Sequence, residues 1–249
     1  MDTSVALVQA YLHVNGYFTV AEYPVLEAFR GEHVRSVTDL DILAFRFAGA
    51  GHDVIRGRGH RPLAGRALAT DPVLGCPADR PDMIVGEVKE GAARLNAAMR
   101  DPVVLEVALA RFGCCPEEHA AILTRQLLAR GHATTPDGHS IRMVAFGDIP
   151  GSDRQGPWTT VPMRHVVLFL RDYLREHWAV LRHAQIRDPA LGVLALIEKW
   201  GVEAESVRDT QQSSEGADQW WRASAATFIS GDGWYSPAAQ EQARPHCSS

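Results

Sequence analysis

A chain of 249 residues, 46% hydrophobic and 22% charged, is long enough for one large domain with trimmings. A formal charge of −5 argues against a surface coated in positive charge for indiscriminate nucleic-acid binding, but leaves room for a local basic groove. No apolar run approaches the roughly 20 residues needed to cross a bilayer, the start Met1-Asp2-Thr3-Ser4 lacks a basic signal region, and no two cysteines form a CxxC pair, so the expectation is a cytoplasmic protein without membrane association, zinc ribbon or thioredoxin motif.

In chain order, residues 4–15 predict a helix, because Val5, Val8 and Leu12 recur at helical spacing and Gly16 can end it. The β-branched and aromatic stretch 17–26 predicts a strand, with Pro24 marking its end or a sheet edge. A second strand is expected over 35–47 and a third over 82–89. Between them, 48–81 is rich in Gly, Pro, Arg and His and reads as a loop with little regular structure. Helices are expected over 91–100, 102–112 and 116–130. A turn at Thr135-Pro136-Asp137-Gly138 then leads into a fourth strand over 140–147. A short fifth strand at 158–163, a long helix at 164–183 and another at 189–200 complete the pattern. From residue 203 the composition turns polar and low in aliphatics. The expected organisation is therefore one α/β domain over 1–202 and a polar, disordered tail over 203–249. The expected fold class is α/β, with a central mixed sheet flanked by helices and a C-terminal helical elaboration.

Chemistry concentrates on the second and third strands. Alternation puts Asp39 and Asp41 on one face of the second strand, and Glu87 and Lys89 on one face of the third. A buried sheet does not normally tolerate such groups unpaired. Carboxylates are hard ligands for Mg²⁺ or Mn²⁺, which polarise a phosphoryl group and acidify a bound water. A lysine beside the cation can orient or deprotonate that water, whereas arginine stays protonated. Of the 25 basic residues only Lys89 and Lys199 are lysines, so a lysine at this position suggests that arginine would not serve.

Asp41, the apolar run after it and Glu87-Val88-Lys89 on the next strand resemble the motif of the PD-(D/E)xK nuclease superfamily, which includes restriction endonucleases, Holliday-junction resolvases and repair nucleases. The element order over about residues 4–147 matches as well. The resemblance implies a restriction-endonuclease-like core, with Asp41 and Glu87 as metal ligands, the Val88 carbonyl completing the shell, and Lys89 as the catalytic lysine. It implies Mg²⁺ or Mn²⁺ as cofactor and DNA as partner, and a homodimer is compatible with it. The literal Pro81-Asp82 dipeptide reads as a decoy, since Asp82 lies about 16 Å along the strand from Glu87 and faces the other way. Two departures stand out. The segment between Asp41 and Glu87 is longer than in compact members, and the first helix lacks the acidic residue that some members place there. Glu22 on the first strand is the candidate substitute, and Asp39 a candidate supporting ligand.

Arg56, Arg58, Arg61 and Arg66 in the insertion read either as a phosphate-gripping loop or as an ordinary solvated one. No HExxH, P-loop or Gly-x-Ser-x-Gly pattern occurs, which sets aside the common zinc hydrolases, P-loop NTPases and α/β-hydrolases. The leading expectation is a metal-dependent deoxyribonuclease of restriction, repair or defence type. The alternative is a catalytically inactive nuclease-like fold acting as a binding or scaffold module, in which the same charges form a salt bridge. A weaker one is a helix-turn-helix regulator, which an extended conformation at 17–25 would defeat.

Overall fold

The computed structural model describes residues 2–29, 33–51, 55–56, 62–63, 70–148, 156–183 and 186–201. The chain divides into one unit over Met1–Gly201 and a second over Val202–Ser249, and the polar tail expected over 203–249 lies outside the described residues.

Helix α1 spans Thr3–Val14. Asp2 caps it by accepting the Ser4 N–H at 2.7 Å, and Val5, Val8, Tyr11 and Leu12 form its buried stripe. Strand β1 (Phe18–Phe29) and strand β2 (His33–Arg46) follow as an antiparallel pair. The extended β1 removes the helix-turn-helix alternative. The insertion contributes two short paired strands, β3 (Ile55–Arg56) and β4 (Pro62–Leu63), where only a loop was expected.

Strand β5 (Asp82–Ala92) pairs antiparallel with β2 and parallel with β7 (Ser140–Asp148). Residues 82–88 of β5 are all buried, which suits a central strand covered on both faces. The strand continues where a helix over 91–100 was expected. Ala92 pairs with Asp148, Ala93 and Leu95 are buried around an exposed Arg94, and only Ala98–Arg100 form a 3-10 turn. Alanine content favours a helix here, but sheet pairing overrides it.

Helix α2 (Pro102–Phe112) starts at an Asp101 cap with Pro102 in its first turn, and α3 (Glu117–Arg130) ends at Gly131 with φ +72°. A Cβ on Gly131 would run into the backbone of Pro157 and Trp158, so this position needs glycine for both conformation and space. The three-residue strand β6 (His132–Thr134) pairs with β7, as does β8 (Thr159–Pro162), giving a mixed sheet of six strands. The path runs β1-β2-β5-β7-β6, which leaves β1 at an edge and accounts for Pro24 within it. The long helix expected over 164–183 breaks at His177 into α4 (Met163–Glu176) and α5 (Trp178–Leu181), and α6 (Pro189–Lys199) follows.

One core packs α1, α4 and α6 against Ile42, Ile84, Val144 and Phe146. The other packs α2 and α3 against Leu43, Met83, Val85, Met143 and Ala145. The result is a mixed sheet flanked by helices. No helix among the described residues is long and apolar enough to cross a membrane.

Candidate active site

The β2–β5 ladder runs from Arg46↔Asp82 to Ile42↔Gly86 and stops. Continuing that register by one step would set Asp41 opposite Glu87, with Lys89 on the diagonal. Side chains in such positions come within reach of one another. At this point Asp41 replaces the missing ladder bond, because the Val88 N–H donates to Asp41 Oδ2 at 2.8 Å. In a strand the N–H and C=O of one residue point to the same side, so the Val88 carbonyl is directed toward the same corner.

Glu87 follows Met83 and Val85 on the α2 face of the sheet, and its side chain is fully buried. Lys89 Nζ forms an ion pair with Glu87 Oε1 while its own side chain remains 41% exposed. The Asn96 side chain also bonds to this carboxylate. Burial pushes the Glu87 carboxyl above its ordinary range and the Asp41 charge adds to this, against the opposing pull of Lys89 and Asn96. Asp41 is likewise pushed up, first by burial and then by the charges of Asp2 and Asp39, against the Val88 N–H and Lys89. Burial pulls Lys89 down, but the pair with Glu87 and the charge of Asp41 outweigh it and hold the ammonium above its usual range. Each of these groups therefore feels the others.

Glu87 and Lys89 meet as an ion pair, and the charge of Asp41 is felt at both. Asp39 is exposed on β2, with its charge reaching Asp41. Glu22 lies across from Asp41, between the pairs Ala21↔Ile42 and Tyr23↔Leu40. It is the one described non-glycine residue with positive φ, at 53°. Ala21 packs into the α1 core and Tyr23 into the α2 core, so β1 switches faces at Glu22. Such a backbone costs on the order of 1–3 kcal/mol and tends to be kept at functional sites. Glu22 Oε1 accepts the Asp2 N–H at 3.2 Å. Among the candidate phosphate-binding arginines, Arg58, Arg61 and Arg66 lie outside the described residues. Arg56 falls in β3, with its side chain likewise outside them.

Two neighbours escaped the sequence reading. Asp2 brings an acidic charge close enough to act on Asp41 from the cap of α1. Asn96 stands beside Glu87, and its Oδ1 accepts the Met99 N–H at 2.7 Å, which turns its amide NH₂ outward from the 3-10 turn. The signal for Asp2 was its position before an apolar helical run; nothing in the sequence marked Asn96.

The donor set suits a hard divalent cation. A fully buried carboxylate bears a desolvation cost that a cation can offset, and the charge of a second carboxylate reaches it. No group of three or more His, Cys, Asp or Glu side chains fit for a metal occurs among the described residues, so carbonyl and water oxygens would complete the shell. Asn96→Ala is expected to weaken Mn²⁺ binding by about 10- to 100-fold with an unchanged circular dichroism spectrum, the usual scale for losing a group that orients a ligand. Calorimetric titration with Mn²⁺ checks this, and unchanged affinity would remove Asn96 from the site.

Asp82 sits apart from this cluster. It is fully buried, accepts from Arg142 Nη2 at 2.7 Å and from the Tyr17 hydroxyl at 2.5 Å, and ties β5 to β7. Asp71 is a second buried carboxylate, receiving the Tyr11 hydroxyl and meeting His165 Nε2, each at 2.5 Å. Both serve as internal ties within the fold. No protein-family model, curated protein or solved structure matches the chain.

Proposed function

We propose that this protein is a metal-dependent nuclease that hydrolyses DNA phosphodiester bonds at Asp41, Glu87 and Lys89. One observation carries the reading. The charges of Asp41 and Glu87 reach one another where the β2–β5 ladder ends, Glu87 is fully buried, and Lys89, two residues on, pairs with it. Support also comes from the order α1-β1-β2-β5-helices-β7 and the antiparallel-then-parallel sense of its sheet, which agree with a restriction-endonuclease-like core.

Asp41 and Glu87 would hold Mg²⁺ or Mn²⁺ together with the Val88 carbonyl. When bound, such a cation polarises the phosphoryl group and acidifies a water. Lys89 reaches the same corner from the solvent side, so its ammonium can position that water and offset charge on the phosphate. Asn96 and the Val88 N–H hold the two carboxylates in place. Binding the cation requires Lys89 to share or leave Glu87 Oε1.

The Lys89–Glu87 ion pair also suits the second reading, an inactive nuclease-like module in which the charges only close the sheet end. Incubating plasmid and short duplex DNA with the protein in Mg²⁺, Mn²⁺ or EDTA separates the two. Cleavage in either metal and none in EDTA is expected; intact DNA throughout would favour the binding module.

A further inference from the structure

A cleft of about 280 Å³ opens between the β1–β2 edge and the last turn of α2, lined by Phe18, Val20, Leu43, Phe45, Arg111 and Phe112. Phe47 stands at its mouth, edge to face with Phe45 at 4.7 Å between ring centroids and with Phe18 at 6.3 Å. Phe18 is 68% and Phe47 59% exposed, so both rings are open to a ligand. Arg111 lies over the Tyr23 ring at 5.5 Å to the centroid and has no carboxylate partner among the described residues. The cleft thus offers aromatic rings together with a cation that pairs with no carboxylate among the described residues. A planar heterocycle joined to an anionic phosphate complements both features, whereas an aliphatic peptide side chain would use only the rings.

The position fits the same ligand. Leu43 and Phe45 follow Asp41 by two and four residues, about 7 and 13 Å along β2. They pack on the α2 face, the face to which Glu87 belongs through Met83 and Val85. A base in the cleft would therefore belong to a nucleotide close along the strand to one whose phosphodiester lies at the carboxylates. A base can enter only if it is unpaired and unstacked.

We propose that this cleft is a stacking subsite for an unpaired nucleobase, and that the preferred substrate has single-stranded character, such as a frayed end, a flap or a gap. The choice of substrate rests on the nuclease reading; the binding site does not.

The test is fluorescence anisotropy of a fluorescein-labelled oligothymidylate, and of its duplex with oligoadenylate, titrated with full-length protein in EDTA. The wild type is expected to prefer the single strand. Phe18→Ala and Phe47→Ala should each weaken single-strand binding by about 5- to 100-fold, the range for losing one stacked base. Arg111→Gln should weaken it and flatten its salt dependence. Both phenylalanines are exposed, so folding survives their removal, with circular dichroism as the check. Equal affinity of the wild type and both Phe variants overturns the proposal, as does wild-type protein that binds neither probe. A change of oligomeric state in the Phe variants with oligonucleotide affinity unaltered also overturns it and assigns the cleft to a protein partner. Metal-dependent plasmid cleavage that persists alongside such a failure leaves the nuclease reading standing. Phe-dependent oligonucleotide binding by a protein that cleaves nothing removes the nuclease reading and keeps the subsite.

Discussion

Lys89→Arg is expected to abolish metal-dependent cleavage, by at least about 100-fold, while fold and Mn²⁺ binding persist. The ion pair to Glu87 is the only role for Lys89 that arginine can fill, and this chain uses arginine for 23 of its 25 basic residues. If Lys89 merely closed the sheet end, the substitution would be silent. A guanidinium is bulkier than an ammonium, stays protonated and presents its donors in a fixed fork, so it cannot place one water beside a cation in the same way. The measurement is duplex cleavage in Mg²⁺ by wild-type and variant protein, with circular dichroism and Mn²⁺ titration as controls. Wild-type cleavage by the variant would show that Lys89 has no special part in the chemistry.

Arg142→Ala is expected to cost on the order of 3–5 kcal/mol of stability and to lower Tm by roughly 6–20 °C. Arg142 reaches Asp82 with both Nε and Nη2, and its Nη1 donates to the Leu74 carbonyl at 2.6 Å. Removing it leaves Asp82 fully buried and without its cation, and frees the segment around Leu74. The Tyr17 hydroxyl alone cannot offset that charge. A thermal melt checks the expectation, and a fall of less than a few degrees would mean that water replaces the guanidinium. The folded fraction should still bind Mn²⁺, since Asp82 lies at the far end of β5 from Glu87.

Glu87→Gln is expected to act in the opposite sense on stability. Burial raises the carboxyl of Glu87, so in the folded chain it titrates above its unfolded value. The folded state then holds more protons in that range, and its stability falls as pH rises through the raised value. A neutral glutamine removes this cost. Above that range the metal-free variant should melt later than wild type, by about 1 kcal/mol of added stability, the common scale when a functional conflict is relieved. The difference should shrink as pH falls and wild-type Glu87 takes up its proton. A variant that melts earlier at neutral pH would show that the Lys89 pair outweighs the burial cost.

The site was legible because two periodicities carry it. Alternation along 41–45 and 83–89 fixes which side chains share a face, although Leu40 and Ile42 pack into different cores, and the antiparallel register ends at Ile42↔Gly86, one step short of Asp41 and Glu87. The Pro81-Asp82 decoy yields to the same parity. Asn96 was not legible, because a loop without a period brings it in, and Asp2 showed only the signal of a helix cap, which says nothing of Asp41. Glu22 could be named as a candidate, but its left-handed backbone, and the change of face that β1 and β2 make together beside it, are tertiary effects. The helix expected over 91–100 failed because alanine propensity is weak against a strand that keeps pairing to Ala92. Strand β6 is only three residues long, held between Gly131 and the Thr135–Gly138 turn, too short for any pattern to show. The break at His177, where Nδ1 meets the Tyr173 carbonyl at 2.9 Å, interrupts what composition presents as one helix.

Titrating Mn²⁺ into wild type, Asp41→Asn, Glu87→Gln and Lys89→Arg tests the shared-cation site most directly, read by calorimetry and by the paramagnetic resonance of bound Mn²⁺. Wild type and Lys89→Arg are expected to bind one cation at the site, and each carboxylate variant to lose it. Equal binding by wild type and both carboxylate variants, or no binding by wild type, would contradict a cation held between Asp41 and Glu87.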